Sequence, residues 1–151
     1  MDKSGCKKII AHLLGTKEDG SDVIGVYPLL PEALRKMCEL NGIRPLVERS
    51  RSGKGAHVWI FFKKAIPAAT ARNFGFLLLD KGSTFINLKS FHYYDRMYPS
   101  QDVASSIGNL IALPLQGQAL KNGNSAFVDE NWNRKYQKKT SINFFYILIN
   151  Y

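Results

Sequence analysis

Residues Val47 to Phe62 constrain this chain more than any other stretch. Val58-Trp59-Ile60-Phe61-Phe62 is apolar at every position, too short for a typical helix and rich in β-branched and aromatic residues, so it reads as a core strand. Alternation along that strand puts His57, Trp59 and Phe61 on one face and Val58, Ile60 and Phe62 on the other. Pro45 to Glu48 reads as a preceding strand. Between the two lies a basic, glycine-spaced connector, Arg49-Ser50-Arg51-Ser52-Gly53-Lys54-Gly55. The segment is therefore strand, basic turn, strand, with His57 at the mouth of the second strand.

A connector of this composition suits an anion. Glycines let the backbone approach a phosphate without Cβ obstruction, and consecutive loop amides can form an anion-binding nest. Arg49, Arg51 and Lys54 bring charge, Ser50 and Ser52 bring hydroxyls, and Gly53, Gly55 and His57 complete the candidate phosphate-binding set. The alternative is a solvated basic turn with His57 as a polar strand end. An ATPase P-loop is excluded: it needs Gly, four residues, then Gly-Lys-Ser/Thr, whereas Glu48 stands at the first glycine and Gly55 follows Lys54.

The 151 residues suffice for one domain, and 45% hydrophobic with 22% charged residues is a globular composition. A net charge of +9 favours a polyanionic partner, since each phosphate contact releases condensed counterions. Cys6 and Cys38 are isolated and lack zinc-site spacing, so reduced thiols are expected, with Cys38 on a helix face. The N-terminus opens no secretory apolar region, and no segment approaches the ~18–20 apolar residues of a spanning helix, which points to a cytoplasmic protein without a membrane partner.

Periodicity along the chain predicts a helix over Lys7–Leu14, a short strand over Val23–Tyr27, and a helix opened by Pro31 and closed by Gly42. Pro67 opens a further helix ending near Gly82. Strands are expected over Thr84–Leu88, Asn109–Leu113 and Ser125–Val128, with Gly117 and Gly123 marking the turn between the last two. Mixed elements in this order imply an α+β fold with antiparallel pairing toward the C-terminal end. After residue 132 the character changes. A basic segment gives way to the apolar run Ile142–Ile149, either a final core strand or an unprotected hydrophobic end.

Five ordered blocks carry a family resemblance: Asp22–Pro31, Glu48–Trp59, Tyr94–Asp102, Gly108–Gln116 and Gly123–Glu130. Together they resemble the archaeo-eukaryotic primase domain of TOTE conflict systems, prokaryotic defence-type systems in which it accompanies helicase and nuclease modules. The resemblance spans roughly Ile10 to Asn131 and divides the chain into a partial primase-type domain, 1–132, and a divergent tail, 133–151. It implies an RRM-like catalytic core with a mixed or antiparallel sheet and flanking helices. It also implies DNA primase or primase-polymerase nucleotidyl transfer with NTP or dNTP substrates on a nucleic acid, using Mg²⁺ or Mn²⁺, as in DNA replication. The family's small-x-His motif, which contacts the incoming nucleotide's phosphates, matches Gly55-Ala56-His57. Its later acidic metal ligand best matches Asp95, with Arg96 beside it as a nucleic-acid contact. A local Asp95–Arg96 pair in a turn is the alternative for that carboxylate.

The family's Asp-x-Asp metal motif has no counterpart. The seven aspartates are Asp2, Asp19, Asp22, Asp80, Asp95, Asp102 and Asp129, and no two stand one residue apart. Two-metal phosphoryl transfer needs several carboxylates around both cations. Where the family has that strand, Pro31 passes directly into Glu32. The expectation is a copy that has lost one strand, with impaired catalysis and compromised metal binding. The other reading is a non-catalytic nucleic-acid-binding module acting with a helicase.

Overall fold

In the computed structural model, residues 6–14, 29–87, 94–103 and 112–135 are described, the first of these at the level of backbone only. Five strands form one sheet: β1 (Cys6–Leu14), β2 (Leu46–Arg49), β3 (Gly55–Ile66), β4 (Tyr94–Tyr98) and β5 (Ala126–Val128). Their spatial order is β4-β1-β3-β2-β5, and every pairing is antiparallel. Three helices accompany them: α1 (Leu29–Leu40), α2 (Ala68–Phe85) and the short α3 (Gly117–Lys121). The fold is α+β, as the sequence pattern implies.

The alternation expected of β3 is the organising fact of the molecule. Val58, Ile60 and Phe62 face the main core with Val47, Met97 and Val128, and the helices α1 and α2 cover that side. Leu30, Leu34 and Cys38 recur every four residues along α1 and are all buried, so one stripe of the helix meets the sheet. Along α2 the buried set is mostly small: Ala68, Ala71, Gly75, Gly82 and Ser83 beside Leu78 and Leu79. Small residues let the two helices approach closely. A Cβ on Gly82 would lie 3.0 Å from Leu34 Cδ2. On the other sheet face Trp59 and Phe127 are buried together, with Leu46, Phe61 and Tyr98 packed around them.

Four expectations are corrected. Lys7–Leu14 is not a helix: it lies within β1, hydrogen-bonded to β3 on one side and β4 on the other. A short apolar run fits either period, and two flanking strands decided it. Thr84–Leu88 is not a strand, because α2 continues to Phe85. Ser83 Oγ donates to the Leu79 carbonyl and Thr84 Oγ1 to that of Asp80, so these hydroxyls bond within the helix rather than break it. The turn expected between Gly117 and Gly123 contains α3. Finally, α1 starts at Leu29, so Pro31 lies inside its first turn and Glu32 follows in unbroken helix, where the family's strand would stand. Among the described residues β1, β3 and β2 are each paired on both sides. The strand expected over Val23–Tyr27, most of Asn109–Leu113 and the Ile142–Ile149 run lie outside the described residues.

Candidate functional site

The basic connector is a closed hairpin loop. Ser50 N donates to the Gly55 carbonyl at 2.8 Å, and Gly55 N donates back to Ser50 Oγ at 3.1 Å. Gly53 N donates to the Ser50 carbonyl, and Lys54 N to Ser52 Oγ. The Ser50 and Ser52 hydroxyls lie 3.2 Å apart. Three successive amides, from Gly53 to Gly55, are therefore satisfied inside the loop. The expected amide nest is used to build the turn, and what the loop offers a ligand is its side chains, with Arg51, Ser52 and Lys54 exposed. Gly53 holds φ +79°, and Asn124 packs where its Cβ would be.

Arg49 goes elsewhere. It alternates with Glu48 on β2, and its guanidinium donates to the carbonyls of Gly123 (3.3 Å) and Trp132 (2.8 Å) while lying 6.0 Å from the Trp132 ring centroid. The structure thus separates Arg49 from His57 and spends it on tying β2 to the segments either side of β5.

His57 is held on the face away from α1 and α2. Counting inward from the Ser50–Gly55 closure, Arg49 pairs with Ala56 and Glu48 with His57. Across that pair Glu48 Oε2 lies 3.0 Å from His57 Nδ1 and accepts the indole N–H of Trp59 at 2.9 Å, and Ser125 Oγ donates to Oε1 at 3.4 Å. The Glu48 side chain is 2% exposed and that of His57 16%. Glu48 was not among the sequence candidates. The signal existed, since a loop closed at 50 and 55 places residues 48 and 57 opposite each other, but it needed the loop ends.

The sheet register extends the row. Phe127 pairs with Glu48, His12 pairs with His57, and Arg96 pairs with His12, so Arg96, His12, His57, Glu48 and Phe127 mark one line across all five strands. His12 was likewise missed, because its segment was read as helix. Two strand spacings set Arg96 and His57 about 10 Å apart. Asp95 is the extra residue of a bulge in β4, for Leu13 pairs with Tyr94 and His12 with Arg96. The local pair considered for Asp95 is present, within a strand: Arg96 Nε donates to Oδ2 at 2.9 Å and Nη2 to Oδ1 at 3.4 Å. Burial, with the Asp95 charge adding to it, pushes the Tyr94 phenol up.

A model of the family "TOTE conflict system, Archaeo-Eukaryotic Primase domain" matches residues 31–143, well over half of the chain. The chain belongs to this family. No curated protein matches it. The match begins where Pro31 passes into Glu32 and runs beyond Trp132 into the basic segment. The hairpin, His57 and Asp95 all fall inside it.

The primase chemistry of the family implies a divalent metal. Among the described residues no three His, Cys, Asp or Glu side chains gather as a cation site, and Asp95 is paired with an arginine. Among the described residues, too, no helix is long and apolar enough to cross a membrane.

Proposed function

We propose that this chain is a nucleotide- and nucleic-acid-binding primase-type domain with impaired catalysis. The observation that carries the reading is His57, the match to the family's phosphate-contacting histidine, clamped by a buried carboxylate beside a hairpin loop that exposes Arg51 and Lys54. A triphosphate laid near His57 would meet the imidazole from the sheet and cations from the loop, with Arg96 within the span of an extended ligand. The impairment rests on the absent Asp-x-Asp, whose place in the chain is continuous helix in α1.

The reading is tested by offering the protein a single-stranded DNA template, ribo- or deoxynucleoside triphosphates, and Mg²⁺ or Mn²⁺. The expected result is oligonucleotide and triphosphate binding with little primer product. Robust primer synthesis by this chain alone would overturn the impairment. Triphosphate affinity untouched by His57→Ala would overturn the phosphate contact. The second reading, a binding module that serves a helicase, is favoured by the +9 charge and by a loop that exposes the cations Arg51 and Lys54. It predicts oligonucleotide binding without triphosphate binding.

A further inference from the structure

We propose that Glu48 is the positioning residue for His57: its Oε2 accepts the imidazole Nδ1–H and so makes Nε2 the nitrogen turned toward a bound phosphate. This rests on the reading of His57 as a phosphate contact.

The hydrogen-bond chemistry leaves little choice. An ionised carboxylate only accepts, and an indole N–H only donates. Trp59 Nε1 at 2.9 Å therefore commits Oε2 as an acceptor, and the imidazole atom 3.0 Å from the same oxygen must carry a proton. Ser125 Oγ, 3.4 Å from Oε1, engages the second oxygen. An anchored carboxylate at one ring nitrogen sets which face and which nitrogen a histidine presents, as it does in metal sites and catalytic triads.

Trp59 also makes the proposal testable. In a catalytic triad an amide in place of the carboxylate leaves the geometry intact but gives the histidine the wrong tautomer. Here the indole N–H requires an oxygen at the shared point. Glu48→Gln should keep its carbonyl toward both donors and turn its NH₂ toward Ser125 Oγ, which can accept.

The experiment uses the full chain labelled with ¹⁵N. Imidazole nitrogen–proton correlations, with His57 assigned by comparison with His57→Ala, report which nitrogen is protonated, and inorganic tripolyphosphate serves as the ligand. Wild type and Glu48→Gln should both show a protonated Nδ1, and their affinities should agree within about threefold. Glu48→Leu combined with Trp59→Phe removes the acceptor and the indole donor together, which avoids an orphaned indole N–H, and a cooperative urea transition shows that the variant folds. That double variant should lose the Nδ1–H signature and bind tripolyphosphate roughly tenfold more weakly, the low end for loss of an orienting partner. The proposal is overturned if the double variant keeps the signature, or binds as wild type does while His57→Ala does not. Binding unchanged in His57→Ala overturns the phosphate reading itself, and this one with it.

Discussion

Replacing Gly53 by alanine separates two accounts of why glycine stands in the basic loop. Gly53 holds φ +79°, and a Cβ there would fall 2.8 Å from both Asn124 Oδ1 and Nδ2. An L-residue in the left-handed region costs about 1–2 kcal/mol. A stiffer unfolded chain offsets about 0.4–1 kcal/mol of that. Forcing a methyl into the space of the Asn124 amide adds about 1 kcal/mol, the low end for overpacking, because the end of a side chain can turn aside. Together these place Gly53→Ala about 2 kcal/mol below wild type. Gly42 is the internal control: its φ is +71°, and nothing lies within 4 Å of its Cβ position. Gly42→Ala should therefore lose only the conformational part, about 1 kcal/mol. Urea denaturation of both variants, and of each Gly53/Asn124 combination with Asn124→Ala, forms a cycle that isolates the contact. Equal losses for Gly42→Ala and Gly53→Ala, or no recovery when Asn124 is trimmed, would refute the packing argument. Tripolyphosphate affinity that falls in Gly53→Ala at unchanged stability would instead mean the glycine serves close approach of a ligand.

Arg49→Met should lose about 2–3 kcal/mol of stability in the same denaturation assay, because it removes charge-assisted bonds to two carbonyls, while leaving oligonucleotide affinity nearly unchanged. Arg51→Ala and Lys54→Ala should do the reverse, each weakening binding to an oligo-dT strand and each lowering the slope of log affinity against log salt by about one; flat salt dependence in wild type would count against a phosphate-binding loop. Burial, with Glu39 adding to it, pushes the Cys38 thiol up from 9.0 to about 12. The native state therefore keeps a proton that the unfolded chain sheds near pH 9, and stability should fall more steeply between pH 9 and 12 in wild type than in Cys38→Ala. In a Cys6→Ser background, native Cys38 should also resist a thiol reagent until urea unfolds the chain.

Much of the frame was legible in the residues alone. The two-faced apolar pattern of Val58 to Phe62 dictates a core strand, because alternation is a property of the backbone and apolar groups on both faces demand cover on both. Pro67 at one helix start, and Pro31 and Gly42 bracketing another, mark helices for equally local reasons. The five sequence blocks were enough to point to the family, and the missing Asp-x-Asp is a plain count. Tertiary structure alone made Cys6–Leu14 a strand, since a nine-residue segment with two lysines and a histidine among its apolar residues is compatible with either period until neighbours on both sides take its hydrogen bonds. It alone sent Arg49 to the carbonyls of Gly123 and Trp132, and turned the amides of Gly53, Lys54 and Gly55 inward. Above all it brought Glu48 against His57, nine residues away along the chain, through a register that depends on where the hairpin closes. Local periodicity acts through each residue's own backbone, whereas the partner of a buried charge is set by which strands pair and in what register.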